Sequence, residues 1–139
     1  MTSRKISRDY VPKIEVRLEA LRLFLDRERF DDVVREAHEC IELIVKGALR
    51  FIGVDPPRRH DPAPILRLHR ERLPPAWQAA LDDIERVSED LAQDRGLAFY
   101  GDEDDLVPPS ELFERADAES AIAAVERLLG LYRTLVALP

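Results

Sequence analysis

The sequence holds a single cysteine in 139 residues, so no disulfide can form within the chain and packing alone must hold the fold. That usage fits a reducing compartment, and the expected location is cytoplasmic. Glycine is scarce at 5 residues, and none follows a strand-like run in a phosphate-cradling loop. No segment approaches the roughly 18 consecutive apolar residues that a membrane-spanning helix needs. Residues 1–13 also lack the apolar stretch of a secretion signal, so no membrane association is expected. His38, His60 and His69 lie on different segments, without the His-x-x-x-His or Cys-x-x-Cys spacing of a zinc site. No metal and no cofactor are therefore expected. Cys40 borders an apolar stripe with no catalytic motif around it, and reads as a small core residue rather than a nucleophile. The net charge of −7 argues against wholesale binding of nucleic acid by long-range attraction, while leaving room for a local basic site.

What the chain does have is helical periodicity. Apolar residues are 45% and charged residues 35% of the total, the balance of a globular protein with a densely charged surface. Val11, Ile14, Leu18, Leu21 and Leu25 form a first one-faced stripe, on a helix that Ser7 or Asp9 would cap. A second stripe runs through Val34, Ala37, Ile41, Ile44, Val45, Ala48 and Ile52, opens at Asp31-Asp32, and stops at Gly53 and Pro56-Pro57. A shorter segment spans residues 62–73. After Pro74-Pro75 a long helix carries Trp77, Leu81, Ile84, Val87 or Ser88, and Leu91. Beyond an acidic, proline-bearing loop, Asp117 starts a last helix with Ala121, Ile122, Val125, Leu128, Leu129, Tyr132 and Leu135 on one side. The expected architecture is all-α, an antiparallel up-and-down bundle of four long helices plus one or two short ones, filling one domain over residues 1–139.

Charge is unevenly distributed. Residues 58–72 hold five arginines, Arg58, Arg59, Arg67, Arg70 and Arg72, against Asp61 and Glu71. Residues 101–114 hold six acids and no base. The molecule thus has a basic connector and an acidic one, which could pair within the fold or between subunits. On the second helix His38, Glu42 and Lys46 succeed one another at intervals of four and rise as one ridge. Such a ridge is either a solvated face with an ordinary ion pair or the wall of a polar cleft. His60 lies between Arg58-Arg59 and Asp61, just before a short helix, a place suited to meeting an anion. The alternative is that His60 and Asp61 cap that helix and fix the loop.

The run from Ala37 through His38, Glu42 and Lys46 to Leu49, then Gly53, Arg59-His60-Asp61 and Ile65-Leu66, resembles the central signature of HEPN domains, the higher eukaryotes and prokaryotes nucleotide-binding family. Phe99-Tyr100-Gly101-Asp102, the acidic loop and the alanine-rich last helix extend the resemblance over residues 10–137. The resemblance implies a bundle of four or five helices, a homodimer, and association with a minimal nucleotidyltransferase in a toxin–antitoxin-like context. Ribonucleases of the family resemble one another in an arginine followed after four to six residues by a histidine. Here the matching windows read Asp31-Asp32-Val33, Gly53-Val54-Asp55 and Pro62-Ala63-Pro64, without arginine. No catalytic residue is therefore assigned. The expected function is binding of a nucleotide or RNA by His60, Arg58, Arg59, Glu42, Lys46, His38 and Tyr100. A ribonuclease with a relocated site and a purely structural interaction domain are the alternatives.

Overall fold

The computed structural model describes residues 2–139, with side chains from residue 4 onward. Five helices follow one another: α1 (Thr2–Asp26), α2 (Phe30–Phe51), the short α3 (Ala63–Leu68), α4 (Pro75–Tyr100) and α5 (Arg115–Val136). Single tight helical turns at Arg70–Arg72 and Pro109–Glu111 punctuate the connectors. No strand occurs among the described residues, so the expected all-α bundle is the observed one. Cross-helix contacts fix the directions. Ser7 near the start of α1 meets Gly47 near the end of α2, Arg95 late in α4 meets Glu39 early in α2, and Trp77 at the start of α4 reaches Leu131 late in α5. The long helices thus alternate in direction, with α2 packed against all the others.

The periodic stripes become the core. Ile14, Leu21, Val34, Ala37, Ile41, Ile44, Val45, Ala48, Trp77, Leu81, Ile84, Val125, Leu128, Leu129, Tyr132 and Leu135 are all buried in one cluster. Val11, Leu25 and Ile52, at the ends of their stripes, are only partly buried. Cys40 is fully buried, and burial pushes its thiol up to about 12, which keeps it an inert core residue at neutral pH.

Two helix starts differ from expectation. Helix α1 begins at Thr2, so neither Ser7 nor Asp9 caps it. Its first turns are held by tertiary contacts instead, because the Ser7 hydroxyl donates to the Gly47 carbonyl at 2.8 Å and the Tyr132 hydroxyl donates to the Ser7 carbonyl at 2.5 Å. Helix α5 begins at Arg115 rather than Asp117. Glu114 is its N-cap, and the Asp117 side chain accepts from the Glu114 N–H in a reciprocal capping box. An acid one turn inside the helix had marked the start.

The two charged connectors do not pair with each other among the described residues. Arg67 reaches across to Asp82 and Glu85 on α4, while Asp102 turns inward to accept from the N–H groups of Asp104 and Asp105. Arg67 and Asp102 thus find partners close by, an arrangement that costs less ordering of long side chains than a bridge between two loops.

Candidate functional site

The polar ridge of α2 meets the 52–62 connector, and the meeting point is where the predicted site residues converge. The His60 ring Nδ1 lies 2.8 Å from Glu42 Oε1, and Lys46 Nζ donates to Glu42 Oε2 at 3.1 Å. The Glu42 and Lys46 side chains are 16% and 21% exposed. The ridge is therefore neither a fully solvated face nor a sealed pair. His60 itself stands out, its side chain 60% exposed. Because a carboxylate only accepts, Nδ1 carries the proton toward Glu42. That leaves Nε2 without a partner among the described residues and free to meet a ligand.

His38 plays a different part from the one its place on the ridge implies. It is 1% exposed, with both nitrogens engaged. Arg95 Nη1 donates to His38 Nδ1 at 3.1 Å, so Nε2 carries the hydrogen and donates to the His60 carbonyl at 2.9 Å. Burial, with the Arg95 charge adding to it, holds the imidazole below its ordinary value and hence neutral. His38 thus fixes the His60 backbone while Glu42 fixes the His60 ring. Any group that met the exposed face of His60 would be felt by His38 only through it.

Asp61 does not cap α3. Pro62 is the N-cap, and Asp61 Oδ1 instead accepts from the buried Ser88 hydroxyl at 2.7 Å, tying the connector to α4. With only six residues in α3, the helix end contributes little positive field. The positive charge at this place comes from Arg58 and Arg59. Both are exposed and make no ion pair or hydrogen bond among the described residues.

Arg95 and Glu39 complete the cluster, and sequence reasoning had not assigned them to the site. Glu39 accepts from Arg95 at 2.6 Å and from Arg35 at 2.5 Å. Burial would raise its carboxyl, but the two guanidiniums override that and hold it down to about 2. The four-residue step from Arg35 to Glu39 was a readable signal; the cross-helix partner Arg95 was not. Tyr100 lies elsewhere. It stacks edge-on against Phe99 at 4.9 Å between ring centroids, and Phe99 in turn lies under Arg35, toward the N-terminal end of α2 and away from Glu42 and Lys46. The structure therefore brings His60, Glu42, Lys46, Arg58 and Arg59 to one neighbourhood, with His38 beneath them and Tyr100 apart. No group of three or more metal-ligating side chains occurs among the described residues, and none of their helices is long and apolar enough to cross a membrane.

Comparison with curated proteins and comparison with solved structures gave no match. The family model of the HEPN domain, in contrast, matches residues 8–135. That span runs from within α1 to the last turn of α5 and takes in the α2 ridge and the His60 connector, and the chain belongs to the HEPN domain family.

Proposed function

We propose that this HEPN domain is a non-catalytic module that binds the phosphate group of a nucleotide at His60, Arg58 and Arg59, working as a homodimer beside a nucleotidyltransferase partner. The observation that carries the reading is the double fixation of His60, with its carbonyl held by His38 and its ring held by Glu42. Such a histidine presents Nε2 outward at no further ordering cost, where it donates to a phosphate oxygen when the ring carries both protons, on a connector that also holds the exposed Arg58 and Arg59. Leu97, Phe99 and Tyr100, exposed together at the end of α4, supply apolar surface of the kind a second copy would cover.

The ribonuclease alternative would use His60 or His69 with nearby arginines across a dimer cleft, whereas the arginine–histidine contact seen within the chain is that of Arg95 with His38. An arginine and a histidine are what metal-independent RNA cleavage needs, to stabilise phosphorane charge and move a proton. This pair is poorly suited to the task, because both imidazole nitrogens are occupied and the ring is sealed from solvent. The structural-module alternative predicts no ligand response at all.

A thermal-shift screen across nucleotides separates these readings. A nucleotide at about 100 times its Kd adds about 2.7 kcal/mol, a rise on the order of 10 °C in a chain of this size. The expected result is stabilisation by at least one nucleotide that disappears in both Arg59→Ala and His60→Ala. No stabilisation by any nucleotide, or a shift that survives both substitutions, would sink the assignment.

A further inference from the structure

A second basic place lies at the C-terminal end of α2, outside the His60 neighbourhood. There Arg4 from α1, Arg50 from the last turn of α2 and Arg72 from the connector before α4 line an open cleft of about 840 Å³. No acidic side chain lines it, Arg4 Nη1 donates to the Pro139 oxygen, and Pro74, Leu135 and Leu138 form an apolar wall. The volume falls in the range of small-molecule sites, roughly 300–1,000 Å³.

The three arginines are not equivalent. The end of a helix exposes carbonyls that disfavour an anion. Here Arg4 Nε donates to the Phe51 carbonyl at 3.4 Å and Arg72 Nη1 to the Ile52 carbonyl at 3.3 Å, so those acceptors are covered by cations. The Arg4 guanidinium also stacks 4.2 Å above the Phe51 ring. Arg50 has no such task. It makes no hydrogen bond or ion pair among the described residues, and its Nε is sealed from water without an acceptor. An unsatisfied buried donor on a charged group is costly. The sealed Nε holds the guanidinium in place, and an anion in the cleft would meet its terminal nitrogens, whose fork suits a phosphate.

We propose that this cleft binds a small molecule carrying a phosphate group on an apolar body, with the phosphate on Arg50 and Arg72 and the body against Pro74, Leu135 and Leu138. Arg50 stands two helical turns beyond Glu42, about 12 Å along the axis, and the cleft shares no lining residue with the His60 site. The inference is therefore independent of the function proposed above.

Calorimetric titration of the full chain with phenyl phosphate, beside inorganic phosphate, tests it. The expected result is saturable binding of phenyl phosphate, tighter than that of inorganic phosphate because the ring meets the apolar wall. Arg50→Met and Arg72→Met should each weaken it about tenfold or more, as loss of a charge-assisted hydrogen bond does. Arg59→Ala and His60→Ala, which remove the phosphate site proposed above, should leave the Arg50-dependent part of the binding in place. Arg50→Lys keeps the charge but loses the fork, and should bind more weakly than wild type while folding normally. Absence of saturable binding, binding indifferent to both Arg50 substitutions, or binding lost in His60→Ala would overturn the proposal.

Discussion

Replacing Gly47 by valine should cost about 3 kcal/mol of folding stability, at the upper end of what overpacking a core costs. Gly47 sits where α1, α2 and α5 converge, and even a single carbon added there would run into the Tyr132 hydroxyl and come within 2.7 Å of Tyr132 Cζ and 3.0 Å of the Tyr10 ring. Tyr132 has nowhere to go. It is fully buried, and its hydroxyl donates to the Ser7 carbonyl while the Ser7 hydroxyl donates to the Gly47 carbonyl. Displacing the ring breaks this closed pair of bonds and strands a buried hydroxyl. Burial already pushes the Tyr132 phenol above its ordinary value, so ionisation offers no relief. Gly47→Ala should be destabilising too, by about 1–2 kcal/mol, because the clash outweighs the roughly 1 kcal/mol that alanine gains in helix propensity. Gly130→Ala on α5 is the matched control. Nothing lies within 4 Å of the added carbon there, and the change should stabilise by roughly 0.5–1 kcal/mol. Urea unfolding of the variants checks the ordering, and a Gly47→Ala protein as stable as wild type would refute the close approach.

Arg95→Met should destabilise the protein by about 2–3 kcal/mol near neutral pH and also flatten its response to acid. The substitution leaves His38 Nδ1 as a buried acceptor without a donor and leaves Glu39 with Arg35 alone. The pH effect follows from the His38 shift. Because its folded-state pKa is lowered, the neutral ring contributes stability above its ordinary value of about 6.5, and that contribution is lost as pH falls below it. Burial is the main cause and the Arg95 charge a further one. Removing Arg95 takes that second lowering cause away, so His38 protonates more readily in the folded state. Unfolding free energies at about pH 7.5 and about pH 5.5 should therefore differ less in Arg95→Met than in wild type. An equal or larger difference would mean that Arg95 does not bear on the His38 charge.

These two residues also mark how far the sequence could be read. The Ile41, Ile44, Val45 and Ala48 stripe, and its counterparts on α4 and α5, declared both the helices and their buried faces, because burial on a helix imposes its own period. Local spacing likewise pointed to the Glu42–Lys46 pair, and chain order put His60 beside arginines. What was illegible depends on contacts between helices. The start of α1 is fixed by Ser7, Gly47 and Tyr132, residues from three helices. Arg95 and His38 are separated by 57 residues, a contact no periodicity announces. The same physics explains His38. On the ridge it stands in line with Glu42 and Lys46, yet the 52–62 connector folds over it and turns a presumed ligand contact into a buried support for His60.

The central claim is that His60 binds phosphate without cleaving RNA, and incubation of highly purified protein with RNA in EDTA, beside His60→Ala, tests it most directly. The account predicts RNA left intact by both proteins, since the ribonuclease arginine is absent from its windows and His38, which Arg95 contacts, is buried with both nitrogens engaged. Cleavage by the wild type that persists in chelator and is lost in His60→Ala would contradict it, and would make His60 a catalytic residue of a rebuilt site.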